Sequence, residues 1–336
     1  MSDIETHKAS SLEEEGRVNY DHIAGKQKTS RRKYIFAGLG LLLLILIGLG
    51  IGLGVGLTHK NDDADDSGSS ESSSDPSGPV LSNNSSTNSS IWQPAAGISW
   101  NYLLLSPPLT NATNGTQAIG LDLFDVQTEI VQGLQQNGAK VICYFSAGSY
   151  ENWRPDQAQF QPDDLGKSLK GWKGERWLNV SSPNVHKIME ARMDLAVQKH
   201  CDAIDPDNVD GYDNDNGLGL TETDAINYLS FLSTSAHSRG LAIGLKNAGG
   251  IVDNVVDVFQ FSVQEQCEQT KECEQYTPFI TQNKPVFHVE YPKGDKTNNN
   301  ADVSATQKQI ICNDSTAKGF STIMKNMNLD SWIESC

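Results

Sequence analysis

The stretch DAIDPDNVDGYDNDN, residues 202–216, carries six aspartates within fifteen residues. It begins with an apolar pair, Ala203 and Ile204, which is typical of a buried strand. Like charges this close repel one another, and burying an unpaired carboxylate costs several kcal/mol. The cluster must therefore be offset by a metal ion, by a cationic ligand, or by a reaction that uses a carboxyl group of shifted pKa.

A calcium loop is the first of these alternatives. An EF-hand that starts at Asp213 needs glycine at its sixth position and glutamate at its twelfth, but Leu218 and Asp224 stand there. A zinc site has no better support, because the chain lacks an H-E-x-x-H motif and its seven histidines show no ligand spacing. The G-x-S-x-G motif of serine hydrolases and the phosphate-binding P-loop are also missing. We predict no metal and no cofactor.

Two carboxylates on different strands are the better-supported constellation. A glycosidase needs one carboxylic acid and one ionised carboxylate across the scissile bond, and crowding carboxylates favours the protonated form of some of them. Barrel enzymes place their chemistry at the carboxyl ends of the strands, and polar residues collect at those ends here. They are Asp122, Asp125, Ser146, Asp205, Asp207, Lys246, Asn247, Gln264, Glu265, His288 and Glu290.

Aromatic side chains that could stack on sugar rings lie in the same part of the chain. Core packing is the competing interpretation for any one of them. Trp153 and Trp172 are the best groove candidates, because they lie in polar segments that contain proline or glycine. The others are Trp100, Tyr144, Tyr150, Trp177, Tyr212 and Tyr291.

The elements that would position these residues alternate along the outer part of the chain. Helical patterns that start or end on capping residues cover 126–138, 182–200 and 221–240. Near-continuous apolar strands alternating with helices indicate a parallel sheet covered on both faces, and this predicts an α/β fold, a (β/α)8 TIM-type barrel. A doubly wound open sheet is the second choice. Nine strand candidates occur, one more than a barrel needs: 100–105, 118–124, 140–146, 176–180, 202–207, 241–247, 257–263, 285–291 and 320–325.

The beginning of the chain predicts a membrane anchor. Residues 34–57 contain 24 uncharged residues, which as a helix would be about 36 Å long and would cross a hydrocarbon core of roughly 30 Å. Arg31, Arg32 and Lys33 precede this segment and aspartates follow it, so the tail at 1–33 is expected in the cytoplasm. The prediction is a single-pass type II protein of the plasma membrane or secretory pathway, with its C-terminal part outside the cell.

A flexible stalk is predicted at 58–91, because this stretch is rich in Ser, Asn, Asp and Gly and cannot bury a core. The globular domain then covers 92–336. Whether the stalk is cut to release that domain is left open. N-glycosylation sequons agree with an exterior location. They are centred on Asn83, Asn84, Asn88, Asn111, Asn114, Asn179 and Asn313.

The six cysteines all follow residue 140. In an oxidising compartment some of them should pair. We predict disulfides between Cys267 and Cys273, which are close in sequence, and between Cys312 and Cys336. For Cys143 and Cys201, two buried thiols and a third disulfide remain open.

The net charge of the chain limits the classes of partner that it can bind. A formal net charge of −16 repels phosphate backbones, so nucleic acid is not expected as a partner. The same charge favours cationic ligands or simply solubility. The sequence does not determine the oligomeric state, although a barrel of this kind is expected to be monomeric.

Six motifs in order along residues 92–336 resemble glycoside hydrolase family 114. They are VICYFSAGSYENWRPD, LGKSLKGWKGERWLNV, DAIDPDNVDGYDN, IGLKNAG, VQEQCEQTKEC and VFHVEYP. The resemblance implies a (β/α)8 barrel that cleaves an α-1,4-linked galactosamine polymer internally, as in deacetylated galactosaminogalactan. It also implies that Asp207 and Glu265 are the catalytic carboxylates. Two neighbours depart from the family pattern, since Gln264 stands where Asn is frequent and Asp205 where Glu is frequent.

A cationic polysaccharide is thus the expected partner. Side chains near Asp207 and Glu265 would position these two carboxylates or bind sugar amines and hydroxyls. Two other functions are weighed against hydrolysis: a catalytically silent glycan-binding ectodomain, and a calcium-dependent adhesion ectodomain that uses the Asp-rich loop. The residues predicted to bind substrate are Asp122, Tyr144, Trp153, Trp172, Asp205, Asp210, Tyr212, Lys246, Asn247, Glu290 and Tyr291.

Overall fold

The structure, a computed structural model, describes residues 79–82, 91–105 and 115–336. No helix within these ranges is long and apolar enough to cross a membrane. The predicted tail and anchor, and nearly all of the predicted stalk, lie outside the described residues. The sequons at Asn83, Asn84, Asn88, Asn111 and Asn114 lie outside them as well.

Eight parallel strands form the body of the fold, and their order around the sheet follows their order along the chain. A doubly wound sheet would reverse its strand order part-way, so the second predicted architecture is excluded and the barrel is confirmed. All strands in the described ranges are β1 (Trp100–Leu103), β2 (Ala118–Asp122), β3 (Lys140–Ser146), β4 (Ser149–Glu151), β5 (Leu165–Ser168), β6 (Glu175–Leu178), β7 (Ala203–Asp207), β8 (Ala242–Lys246), β9 (Phe261–Glu265), β10 (Val286–Glu290), β11 (Ser321–Lys325) and β12 (Ile333–Ser335). The parallel strands pair in the order β1, β2, β3, β7, β8, β9, β10 and β11.

The first and last parallel strands lie side by side, which closes the barrel. Trp100 Nε1 on β1 donates to the carbonyl oxygen of Ser321 on β11 at 2.7 Å. The Ser321 hydroxyl donates in turn to the carbonyl oxygen of Ile98 at 2.7 Å. One further strand, β12, pairs antiparallel with β11 on the side away from β10.

One of the nine predicted strands, at 176–180, does not belong to the barrel. Its residues lie mostly in β6, which pairs antiparallel with β4 and β5 in a separate small sheet inserted after β3. The run is apolar because Trp177 and Leu178 are buried there. An apolar run reports burial but not the sheet that provides it.

The predicted helices occur where their capping residues place them. The Ser182 hydroxyl accepts from the backbone N–H of Asn184, and Pro183 is the first helical residue. Thr221 and Asp224 form a reciprocal capping box at the start of the next long helix. The helices are α1 (Thr128–Gln136), α2 (Pro183–Gln198), α3 (Glu222–Ser238), α4 (Val252–Val255), α5 (Cys267–Thr270), α6 (Thr277–Thr281) and α7 (Ala305–Cys312).

Side chains of the barrel strands alternate between two cores. Tyr102, Phe261 and Phe287 belong to the cluster inside the barrel, whereas Ile204 and Ile243 belong to the cluster between the sheet and the helices. Because successive residues of a strand point to opposite sides, this alternation decides which polar residues face the barrel axis.

All six cysteines are paired. The predicted disulfides Cys267–Cys273 and Cys312–Cys336 are confirmed. Cys143 on β3 forms the third disulfide with Cys201, which lies just before the adjacent strand β7. Of the two alternatives left open for this pair, the structure therefore selects the disulfide.

Candidate active site

A buried lysine joins the two carboxylates that the motifs single out. Lys246 ends β8, and its Nζ lies 3.1 Å from Asp207 Oδ1 at the end of β7 and 3.1 Å from Glu265 Oε2 at the end of β9. The lysine side chain is only 2 % exposed, whereas Asp207 and Glu265 are 15 % and 23 % exposed. The two carboxylates thus share one cation below them and keep an accessible edge toward solvent.

Each of these carboxylates also accepts a hydrogen bond from a tyrosine. The Tyr144 hydroxyl donates to Asp207 Oδ2 at 2.9 Å, and the Tyr291 hydroxyl donates to Glu265 Oε1 at 2.5 Å. Burial, the largest cause, and the adjacent carboxylates raise the pKa of both tyrosines well above its usual value. Both hydroxyls therefore stay protonated and act as donors, so Tyr144 and Tyr291, two of the aromatic residues predicted to contact sugar, hold the carboxylates in place.

A third carboxylate lies one layer deeper. Asp205 is fully buried on the same side of β7 as Asp207, and its Oδ2 accepts from the Tyr102 hydroxyl at 2.7 Å. Gly120 leaves room for this tyrosine, because a Cβ at that position would lie 2.4 Å from a ring carbon of Tyr102. Asp205 was predicted to bind substrate, but its depth keeps it away from any sugar at the mouth of the barrel.

The electrostatics of the cluster keep the lysine charged. Burial alone lowers the pKa of Lys246, but the surrounding Asp207, Glu265 and Asp205 outweigh this effect and raise it above the usual value. The ammonium also lies 5.8 Å from the ring centre of Tyr102 and 5.5 Å from that of Tyr144, within the range of cation–π attraction. Lys246 is therefore a permanent cation and does not serve as a base.

The chain turns sharply straight after each of the three residues at the centre. Asn208, Asn247 and Gln266 have φ values of 61°, 50° and 60°. Left-handed backbone is unfavourable for residues other than glycine and clusters at functional sites. Asn247 is further tied in by its side-chain oxygen, which accepts from the Glu265 backbone N–H at 3.1 Å. This residue was predicted to bind substrate, and the structure shows it supporting Glu265.

Asp122 was also predicted to bind substrate, and here the structure gives a different partner. Arg154 binds both of its carboxylate oxygens, with Nη1–Oδ1 and Nη2–Oδ2 distances of 3.0 and 2.7 Å. Arg154 Nε binds Glu151 at 2.8 Å. All three side chains are buried, so Asp122 is a structural ion-pair partner and not a group that meets the substrate.

Glu290 lies on the outer side of β10, facing the helices. Its Oε1 is 2.8 Å from His288 Nε2 and accepts from the Glu268 backbone N–H at 2.8 Å. The neighbouring Val289 and Tyr291 face the barrel interior instead. The prediction that Glu290 binds substrate is therefore wrong, because the alternation of the strand turns the side chain away from the mouth.

The remaining predicted residues lie in loops on the same side of the barrel as the pair. Trp153 is exposed just after β4, and Trp172 lies in the hairpin between β5 and β6. Asp210 and Tyr212 lie in the loop after β7, where Tyr212 is partly buried beside Gly250. These positions suit contacts with parts of a long ligand away from the central cluster.

One group in the described part of the chain has the donor types of a metal site. It consists of Cys267, Cys273 and His288, whose ligand atoms lie within 4.8 Å of one another. Both sulfurs are joined in a disulfide, however, so neither is available as a thiolate ligand.

Sequence reasoning missed several residues that shape this site. Tyr102 lies in an apolar run, and its place two residues after Trp100 was the available signal that it faces inward. Arg154 stands in the recognised VICYFSAGSYENWRPD motif, but no pattern in the sequence indicates its pairing with Asp122. Asn208 is a third missed residue, and its backbone N–H donates to Asp207 Oδ1 at 2.7 Å.

Comparisons with known proteins find similar proteins over most of the chain. A family model described as glycoside-hydrolase family GH114 matches residues 82–336. The crystal structure of Ega3 from Aspergillus fumigatus in complex with galactosamine is 51 % identical, covers 76 % of this chain and 100 % of its own, and superposes with a TM-score of 0.72. The glycoside hydrolase domain of PelA from Pseudomonas aeruginosa, at 11 % identity over 70 % of this chain and 98 % of its own, has a TM-score of 0.54 and shares the fold. Curated proteins gave no match.

Proposed function

The chain belongs to glycoside-hydrolase family GH114, and from this we propose that it cleaves an α-1,4-linked galactosamine polymer internally, with Asp207 and Glu265 as the catalytic pair. The observation that carries the proposal is the position of Lys246, 3.1 Å from each carboxylate at the open end of the barrel. Two carboxylates on nearby strands, both partly accessible, are what hydrolysis of a glycosidic bond requires.

The hydrogen bonds support different roles for the two carboxylates. Asp207 accepts from four donors: the Asn208 backbone and side-chain N–H groups, Lys246 and Tyr144. Glu265 has one donor on each oxygen, Lys246 and Tyr291. More donors stabilise the ionised form more strongly, so Asp207 serves as the nucleophile. Glu265, the more exposed and less tightly bound group, serves as the acid and base.

The spacing favours retention of stereochemistry at the anomeric carbon. The two carboxylate oxygens lie 3.1 Å from one nitrogen, so they are no further apart than twice that distance. This limit applies to the two lysine-bound oxygens, and it accommodates the roughly 5–5.5 Å that separates the carboxyl groups of retaining enzymes. In the first step Asp207 attacks the anomeric carbon while Glu265 gives its proton to the departing oxygen. In the second step Glu265 takes a proton from water, which displaces Asp207 from the sugar.

The choice of substrate rests on charge and on the relative. Ega3, at 51 % identity, was crystallised with galactosamine. A galactosamine polymer carries ammonium groups near neutral pH, and the net charge of −16 attracts such a polymer.

The test is to incubate the purified full-length protein with deacetylated galactosaminogalactan and to size the products over time. Internal cleavage predicts a rapid fall in mean chain length with few monosaccharides. The Asp207→Asn variant is the control for contaminating hydrolases. Release of monosaccharide alone, or equal cleavage of the fully acetylated polymer, would contradict the proposed mode and substrate.

For the membrane, we propose that residues 34–57 anchor the enzyme with its catalytic domain outside the cell. The support is the length of the uncharged segment and the basic residues before it. Protease added to intact cells should remove the domain at 92–336 and spare residues 1–33. Protection of the domain instead would reverse the orientation.

We also propose that of the two sequons in the described ranges, Asn313 carries a glycan. Asn313 is exposed at the end of α7, whereas Asn179 is half-buried and its side-chain oxygen accepts from the Ser181 backbone N–H at 3.2 Å. Peptide mass analysis before and after enzymatic deglycosylation distinguishes the two positions, and an unmodified Asn313 peptide contradicts the proposal.

A further inference from the structure

Asp205 is held at one oxygen only. Its Oδ2 accepts from Tyr102 at 2.7 Å, whereas its buried Oδ1 has no hydrogen-bond partner among the described residues. The side chain is fully buried beneath Asp207. Any role of Asp205 in the reaction must therefore pass through the groups beside it, since a sugar entering from the mouth does not reach it.

The groups around Asp205 come from five strands. Burial, the largest cause, raises the pKa of Asp205 to about 7, while the attraction of Lys246 opposes that rise and the negative charges of Asp207 and Glu265 add to it. Asp205 therefore passes between its neutral and ionised forms near neutral pH. The titratable groups that face it are Tyr102 of β1, Tyr144 of β3, Asp207 of β7, Lys246 of β8 and Glu265 of β9.

The shared lysine creates a conflict between the two catalytic roles. An ammonium close to a carboxylate stabilises the negative form. That suits Asp207, which must be ionised to attack, but it works against Glu265, which must hold a proton for the departing oxygen. A negative charge on the inner side of Lys246 offsets part of the lysine's effect on both groups.

We propose that Asp205 is a positioning residue whose charge, set by Tyr102 and Lys246, keeps the proton on the catalytic acid as the pH rises. The inference rests on the proposed function of Asp207 and Glu265. The negative charge of Asp205 acts on Lys246 without a direct hydrogen bond, and its ionisation counters the ammonium in the pH range in which the acid would otherwise lose its proton. Asp205 does not touch the substrate.

The test compares the pH dependence of kcat/KM in purified full-length variants. In Asp205→Asn the inner charge is gone, so the alkaline limb should move to lower pH by about one unit, the size of a nearby charge effect. Tyr102→Phe keeps Asp205 but removes the hydrogen bond that stabilises its ionised form, so the limb should move the same way by less. Asp194→Asn, an exposed carboxylate on α2, is the matched amide control and should not move it.

A limb that stays in place in Asp205→Asn, with kcat merely lower at every pH, would show a structural role and overturn the inference. A shift in Tyr102→Phe toward higher pH would also overturn it. If Asp205→Asn does not fold, the pH profile of kcat/KM in Tyr102→Phe still tests the inference.

A second readout does not depend on catalysis. The pKa of Asp205 is raised in the folded chain, so between about pH 4 and 7 the folded chain holds a proton that the unfolded chain has lost. The free energy of unfolding of the wild type should therefore fall more steeply with rising pH in this window than that of Asp205→Asn. Equal slopes overturn the inference, whereas a confirmed slope difference without polymer cleavage would refute only the proposed function.

Discussion

In each of two clusters near the carboxyl ends of the barrel strands, one buried cation forms ion pairs with two carboxylates. In the first, Arg154 binds Asp122 and Glu151. In the second, Lys246 binds Asp207 and Glu265. The carboxylates of the first are 6 % and 4 % exposed, whereas those of the second are 15 % and 23 % exposed.

The clusters differ in how many carboxylate oxygens the cation binds. The planar guanidinium of Arg154 binds both oxygens of Asp122 in a fixed geometry, and the backbone N–H of Phe124 also donates to Oδ1. The ammonium of Lys246 is a point charge that contacts one oxygen of each partner and lies beneath both. A carboxylate closed on all sides supports the fold, and one with an accessible edge can meet a substrate.

The largest expected effect is a loss of activity when a carboxylate of the Lys246 cluster is replaced. Asp207→Asn and Glu265→Gln remove the nucleophile and the proton donor while keeping the shape, so each should lower kcat by about 10⁴-fold. Thermal unfolding should change little. Steady-state kinetics on the deacetylated polymer measures the loss, and near wild-type turnover by either folded variant would refute the assignment of the pair.

The second prediction concerns the Arg154 cluster, where a substitution should lower stability and leave activity in place. Arg154→Met leaves Asp122 and Glu151 buried without their cation, which should lower the free energy of unfolding by about 3–5 kcal/mol. Activity per folded molecule should survive at low temperature, because the Lys246 cluster is untouched. Denaturant unfolding and kinetics on the same sample check both parts. A stable but inactive Arg154→Met protein would instead place this cluster in the catalytic machinery.

The third prediction sharpens the role of the lysine. Lys246→Met removes the charge shared by Asp207 and Glu265, so kcat should fall by about 10²-fold, a loss typical of removing one preorganised electrostatic group. The acidic limb of the kcat/KM profile should move to higher pH, since the ammonium no longer favours the ionised nucleophile. A uniform loss of rate at every pH would mean that the lysine only packs.

The smallest effect concerns salt. Added salt screens exposed charges far more than buried ones. It should raise KM for the cationic polymer a few-fold while leaving the destabilisation caused by Arg154→Met unchanged. Measurements of KM and of unfolding across one salt series test this contrast. A KM that is insensitive to salt would show that charge does not guide binding.

Much of the fold follows from the sequence by itself. Apolar runs alternating with amphipathic stretches indicate the parallel barrel, and the caps at Ser182 and Thr221 mark the starts of α2 and α3, because such signals act between residues close in the chain. The disulfide Cys267–Cys273 spans only six positions and is predictable for the same reason. The resemblance of the DAIDPDNVDGYDN and VQEQCEQTKEC motifs to family 114 directs attention to Asp207 and Glu265.

The roles of the other polar residues were decided by the tertiary structure. In the sequence Asp122 and Glu290 look like Asp207, since each ends an apolar strand. Asp122 closes on Arg154, 32 positions away, and Glu290 points to the helices because strand alternation puts it on the outer side of β10. The Tyr102–Asp205 hydrogen bond joins residues 103 positions apart. Such pairings depend on barrel closure and strand register, which bring distant side chains together and which no local pattern encodes.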